Sequence, residues 1–294
     1  MRKDGLSDRI NNGALRPMDM KGAKGRVTYG ILSLVMLLHL LIVCIPVVWM
    51  LMLCFKEPAE IYNKTPTFFP KSIDLGKIAD LWNQLEIYKY YLNTLIVAVG
   101  CVLFDVGIGG LAGYSLSRLK PRGSRVYFVL VSLTMLLPAT TAMVPNYMLY
   151  KDLGLLNSYI PLWLIAGMNM FHVLLFKSSF DGLPLSIIEA AKIDGASDIR
   201  IFLRIIIPMS IPVVATCSIF TFNAAFGDFF WPYLLITDPN KTVMGVRLFE
   251  IKNSNLSMDK QMIAALFTIL PQAIIFIVFQ KYIMGGINVG GVKG

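Results

Sequence analysis

The chain has 294 residues, 56% of them hydrophobic and 15% charged, with a mean hydropathy of +0.64 and a formal net charge of +9. It is too apolar for a soluble two-domain protein of this length and reads as a polytopic membrane protein. Four cysteines, Cys44, Cys54, Cys101 and Cys217, are dispersed in apolar segments without a C-x-x-C pair, so neither a disulfide framework nor a zinc site is suggested.

Residues 1–29 are basic, contain glycine and lack an apolar period, which predicts a separate tail. A helix needs about 20 apolar residues to cross the hydrocarbon core, and six runs of that kind follow. They extend from Gly30 to Phe55, Asn93 to Ser117, Val126 to Met148, Tyr159 to Phe176, Ile205 to Phe226 and Met262 to Ile283. Helices are the open choice, because unpaired strand edges cannot face lipid. The first run is long and begins late, unlike a cleaved signal peptide.

Between the runs lie polar segments. Lys56 to Tyr91 is the longest on its side and contains "LGKIADLWNQL", an amphipathic piece expected either as a packed loop helix or along the membrane surface. "RLKPRGSR", Arg118 to Arg125, is a tight turn whose four positive charges suit lipid phosphates. With the N-terminus cytoplasmic, the inside segments hold 17 basic and 7 acidic residues, and the outside loops hold 10 of each. The positive-inside rule is thereby met, with both termini cytoplasmic. The basic balance is a topology signal and calls for no nucleic-acid partner.

"SIIEAAKIDG" between the fourth and fifth runs has its own start and stop. Ser186 and Glu189 form the S-x-x-E spacing of a capping box, and Gly195 suits a left-handed stop. About eight residues give a rod roughly 12 Å long, too short to span. Ile187, Ala191 and Gly195 would share one face, and Pro208 and Pro212 would bend the following span.

"EAAKIDGASDIRIFLRIIIP" resembles the EAA signature of permeases of ABC importers, with Glu189, Ala190, Ala191, Gly195, Ile205 and Pro208 at the signature spacing and Ile207 in place of the usual Leu. "LGLLNSYIPL", "IFTF" and "QKYIMGGINVGGVKG" are similar to the carbohydrate-uptake branch, typified by the maltose-type MalG permease subunit. The resemblance implies an all-α membrane domain over 30–284, with six transmembrane helices and a short cytoplasmic coupling helix within about 184–208. Residues 285–294 become a glycine-rich cytoplasmic tail. It implies half of a sugar or oligosaccharide pathway in a bacterial inner membrane, a heterodimer with a second permease. Its other partners would be two ATPase subunits and an extracytoplasmic substrate-binding protein.

By the same resemblance Glu189, Ala190, Ala191, Asp194, Gly195, Ile205 and Pro208 serve ATPase coupling, and Gly285, Gly286, Gly290 and Gly291 contact the ATPase. No G-x-x-x-x-G-K-[ST] occurs. Catalytic and metal residues are therefore not expected here, no cofactor is bound by this chain, and ATP and Mg belong to the partner ATPase subunits.

The expected substrate path is Asp105, Asn223, Phe226, Asp228 and Trp231. Asp105 is an intramembrane carboxylate, and "FNAAFGDFFWPYLL" offers aromatic faces with hydrogen-bonding groups, although the same aromatics fit an interfacial belt. The family usually has W-N-E-F where this chain has Phe226, Gly227, Asp228 and Phe229. His39 and His172 read as satisfied core or interface residues rather than ligands. Competing readings are a non-sugar ABC permease, an ion-driven secondary transporter using Asp105, and an intramembrane enzyme. The last lacks any paired-His, paired-Asp or Ser-Lys constellation.

Overall fold

The computed structural model describes residues 23–63, 65 and 67–287. The chain divides into two units, Met1–Ile73 and Asp74–Gly294. In the first, α1 (Ala23–Phe55) starts before Gly30, because Lys24 and Arg26 are good helix formers and nothing in "AKGRVTY" stops a helix. Its apolar side chains from Ile31 to Val48 are exposed. After α2 (Pro58–Ile61) the chain turns back, and buried Lys56 donates to the Thr67 carbonyl while lying over the Trp49 ring.

The second unit begins with α3 (Gly76–Gln84), the amphipathic piece. It is packed: Leu81 is buried, the Trp82 ring stands edge-on to Tyr91 and Phe267, and Lys77 pairs with buried Asp259. Next, α4 (Ile87–Phe104), a π-helical turn over Asp105–Gly109, α5 (Gly110–Tyr114) and a second π-turn over Ser115–Leu119 make one helix of 33 residues.

The expected span from Val126 to Met148 is not one helix. α6 (Ser124–Thr134) has 11 residues, Pro138 is extended, a 3₁₀ turn covers Ala139–Ala142, and α7 (Met143–Asp152) follows. Pro138 lacks an amide donor and disfavours helical geometry at Leu137, which accounts for the break.

The fourth expected span is a pair, α8 (Ile160–Gly167) and α9 (Met170–Asp181), bent by 47°. Asn169 starts α9 by accepting from the Phe171 and His172 amides. After α10 (Leu185–Ile193), the segment α11 (Asp198–Ile201), a π-turn over Phe202–Ile206 and α12 (Ile207–Met209) meets α13 (Ile211–Gly227) at 88°. Pro208 and Pro212 flank this bend at Ser210, as proline's missing donor predicts. The chain continues through α14 (Phe230–Leu235), α15 (Met244–Lys252) and α16 (Met258–Ile287).

Among the described residues three helices are long and apolar enough to cross a membrane, Gly25–Phe55, Ile87–Leu119 and Met258–Gln280, and the two bent pairs raise this to at most five where six were expected. The described residues contain no strand, so the architecture is all-α.

The turn Arg118–Arg125 also departs from expectation. Arg118 does not serve as a lipid-facing charge: its guanidinium donates to the Phe180 and Leu183 carbonyls, at the C-terminus of α9 and just before α10. The Phe180 carbonyl also accepts from the Leu183 amide at 3.1 Å, so the guanidinium ties the end of α9 to the turn that follows it. Beside it Ser117 donates to Asp181 at 2.7 Å, and Asp181 also pairs with Lys177. At Gly113 any Cβ would lie 2.7 Å from the Phe176 Cβ, so glycine permits α5 and α9 to pack this closely. Arg118→Ala removes the donors to both carbonyls. Stability should fall by about 1–3 kcal/mol, read as a lower Tm of the purified protein, whereas an unchanged Tm would show that water replaces the clamp.

Candidate functional site

Two features stand out, a loop helix and a cavity. The loop helix is α10. Pro184 is its N-cap, in extended conformation and with no side-chain cap, so Ser186 lies inside the first turn and the expected capping box with Glu189 does not form. Proline's fixed φ sets the chain direction there without help from a serine hydroxyl. The stop is as read, with Gly195 at φ +77°.

The inward side of α10 is set by Ile188. Ile188 is buried among Phe180, Phe202 and Ile206, with Ala191 half-buried beside it. Leu185, Ile187, Glu189, Ala190, Ile193 and Asp194 are exposed, Ile193 at 87%. One anchored face and one bare face, partly apolar, make a surface suited to contact. Ser197 caps the following helix by accepting from the Arg200 amide, and Lys192 pairs with Asp198 at 3.3 Å.

The cavity holds about 620 Å³ and is walled by α4, α8, α9 and α13 together with Asp228 and Trp231. Asp105 lies behind its wall with no exposed surface. Its Oδ2 accepts from His172 Nδ1 at 2.8 Å and from the Thr221 hydroxyl at 2.5 Å. His172 and Thr221 are themselves buried, and both line the cavity. The π-turn at Asp105 re-aims the residues of that turn, a placement typical of functional sites.

Asp228 follows the last turn of α13, and its Oδ1 accepts from the Phe230 and Trp231 amides at 3.0 and 3.4 Å. Burial pushes its carboxyl above the usual carboxylate range, and those amide bonds pull the other way. Val97, Leu162, Phe171, Phe220 and Trp231 supply apolar and aromatic walls. A concave, mostly apolar space with a few convergent polar groups is the usual form of a small-molecule site.

The family model for the inner membrane component of binding-protein-dependent transport systems matches residues 105–288. The chain belongs to this family. Among curated relatives it is similar to the diacetylchitobiose uptake system permease protein NgcG of Streptomyces coelicolor, 30% identical over 87% of this chain and 86% of the relative. It is also similar to the maltodextrin transport system permease protein MdxG of Bacillus subtilis, 31% identical over 77% of this chain and 83% of the relative. The fold is that of a chain in the crystal structure of a bacterial ABC transporter involved in the import of the acidic polysaccharide alginate. The two chains share a TM-score of 0.77 at 24% identity, covering 89% and 98% of them respectively.

In this permease the residues expected on a substrate path do not all gather in one place. Asp228 and Trp231 line the cavity, and Asp105 touches it through His172 and Thr221. Asn223 instead donates to the Ile219 carbonyl one turn back. Phe226 is buried, stacks on Phe222 and lines a separate apolar groove with Tyr91 and Phe267. Phe229 packs against Phe249 and Tyr233.

Ile205 is half-buried beside the cluster that holds Ile188, and Pro208 sits in α12. Gly285 and Gly286 lie in the last turns of α16, while Gly290 and Gly291 are outside the described residues. Sequence reasoning missed His172 and Thr221 as cavity residues. The available signal was that Asp105 and His172 are both lone polar residues in apolar runs, which calls for a mutual partner.

Asp105→Ala would remove the acceptor that His172 and Thr221 share, leaving them only their own contact at 3.3 Å. A loss of about 1–3 kcal/mol is expected, with Asp105→Asn recovering part of it through its amide oxygen. Equal melting temperatures for wild type and Asp105→Ala would contradict the assignment.

Proposed function

We propose that this permease is half of the translocation pathway of an ABC importer for a sugar or oligosaccharide. Its coupling helix is α10, docked on a cytoplasmic ATPase subunit. The observation that carries the reading is that Glu189 and Ala190 of the EAA signature stand exposed on a short helix anchored on another side by Ile188, with Asp194 and Gly195 exposed at its end. A signature preserved on a bare surface fits a partner better than it fits the fold. The relatives' sugars support the substrate class.

In this reading ATP and Mg are held by the two ATPase subunits, and no catalytic group is assigned to this chain. A second permease closes the pathway, and a substrate-binding protein delivers ligand from the far side. Both termini are cytoplasmic, in keeping with the positive charge around α10 and the turn after α5. Gly195, Ile205 and Pro208 shape the loop rather than touch the ATPase, and the tail from Gly285 reaches toward it. Closure of the ATPases moves α10, and the importer switches between two states by that differential contact.

The ion-driven alternative made Asp105 a coupling carboxylate. Its full burial behind His172 and Thr221 favours a positioning role.

Glu189→Lys should abolish or sharply weaken co-purification of the ATPase subunit and ATP-driven uptake, while the Tm of the permease stays near wild type because Glu189 is exposed. Normal recruitment and uptake in that variant would remove the docking assignment.

A further inference from the structure

The cavity has a chemical bias that follows from how its polar atoms are already committed. Asp105 takes the Nδ1 side of His172, and the other ring nitrogen, Nε2, makes no hydrogen bond among the described residues although His172 is only 4% exposed and lines the cavity. Thr221 spends its hydroxyl hydrogen on Asp105 and keeps lone pairs. Asp228 spends Oδ1 on two amides and keeps Oδ2. Asn169 spends its carbonyl oxygen on capping α9 and keeps its amide donors. The lining residues include no lysine or arginine.

We infer that His172, Thr221 and Asp228 form a contact site for a neutral, hydroxyl-bearing saccharide that discriminates against uronates, with Asp105 as the positioning residue that fixes the His172 ring. The inference rests on the sugar-permease reading and narrows it.

The argument is one of hydrogen-bond matching. His172, Thr221 and Asp228 line the cavity, so a ligand that fills it displaces water from the Nε2 nitrogen and the uncommitted oxygens and must supply the hydrogen bonds itself. A sugar hydroxyl both donates and accepts, so it satisfies Nε2 whether or not that nitrogen carries a proton, and it donates to Thr221 and to Asp228. A uronate carboxylate only accepts. It could accept from the Asn169 amide, but its oxygens donate nothing to Thr221 or Asp228, and the lining residues offer it no lysine or arginine. The aromatic faces of Trp231, Phe220 and Phe171 suit the apolar faces of pyranose rings, and about 620 Å³ falls within the range of small-molecule sites. The site therefore pairs stacking surface with surplus acceptors, the arrangement that a polyol matches and an anion does not.

The test uses the whole importer, with its ATPase and binding protein, in proteoliposomes. Uptake of neutral probes (maltotriose, cellotriose and raffinose) is compared with uptake of trigalacturonate. Alongside the wild type run His172→Leu, His172→Gln, Thr221→Val and Asp105→Asn, each first checked for co-purification with the ATPase. At least one neutral probe should be carried, and trigalacturonate at least tenfold more slowly. His172→Leu and Thr221→Val should cut the maximal rate at saturating binding protein by tenfold or more, with His172→Gln restoring much of it because its amide can both donate and accept. Asp105→Asn should fall between.

Trigalacturonate carried as fast as the best neutral probe would overturn the charge bias while leaving the sugar reading intact. Wild-type rates in His172→Leu would overturn the contact. Failure of every saccharide, neutral and acidic, with ATP-driven uptake of some other solute, would instead overturn the sugar reading. Should His172→Leu fail to assemble, Thr221→Val alone decides, since it keeps the side-chain shape and removes the hydroxyl; wild-type uptake there overturns the site.

Discussion

A carboxyl group with no exposed surface sits in the wall of the second unit, and two of the helices around it supply donors to its Oδ2, while its Oδ1 has no partner among the described residues. Transferring such a group into an apolar interior without partners costs several kcal/mol, so Asp105 cannot be placed independently of its donors. One donor, His172, is on α9 and the other, Thr221, on α13, so a single oxygen ties three helical segments together. The cavity lies on the other side of this tie. Its polar lining is thus the outward side of a structural necessity, and the same contacts that hold the wall decide which atoms face a ligand.

The second consequence concerns α9. Asn169 and His172 at its start line the cavity, and Phe180 and Asp181 at its end sit under the Arg118 guanidinium and the Ser117 hydroxyl, next to Leu183 and the entry to α10. Twelve residues make a rod of about 18 Å. Ile188 of α10 is buried among Phe180, Phe202 and Ile206, and Phe180 belongs to the same helix that carries His172. On the proposed docking of α10, one helix clamped at both ends would link the loop to the cavity. Close packing at Gly113 makes α5 part of the same body.

Much of this was legible in the sequence. Apolar length gave the helical membrane class, the EAA spacing marked α10, Gly195 marked its end, and Pro208 with Pro212 marked the sharp bend. What failed did so for local and for long-range reasons. Proline was underweighted at Pro184, where it displaced Ser186 as the cap, and at Pro138, where it broke an expected span into α6 and α7. Arg118 was read by its charge, whereas its position at the end of α9 directs its donors inward onto carbonyls. The Asp105 and His172 pairing spans 67 residues of sequence. No periodicity reports such a contact, and only the rule that an intramembrane ion seeks a partner could have suggested it. Asn223 and Phe226 show the converse: their types suited a sugar, yet the turn of α13 aims one at its own backbone and the other into a different groove.

The central claim is that the cavity beside Asp105 is the passage for substrate. Ala224 lines that cavity on an exposed stretch of α13, and cysteine is scarcely larger than alanine. In a background with the native cysteines replaced, Ala224→Cys would be treated with a membrane-permeant maleimide in the assembled importer, with and without transported saccharide. The account predicts that labelling blocks uptake and that saccharide slows the labelling. Full uptake by quantitatively labelled protein would contradict it.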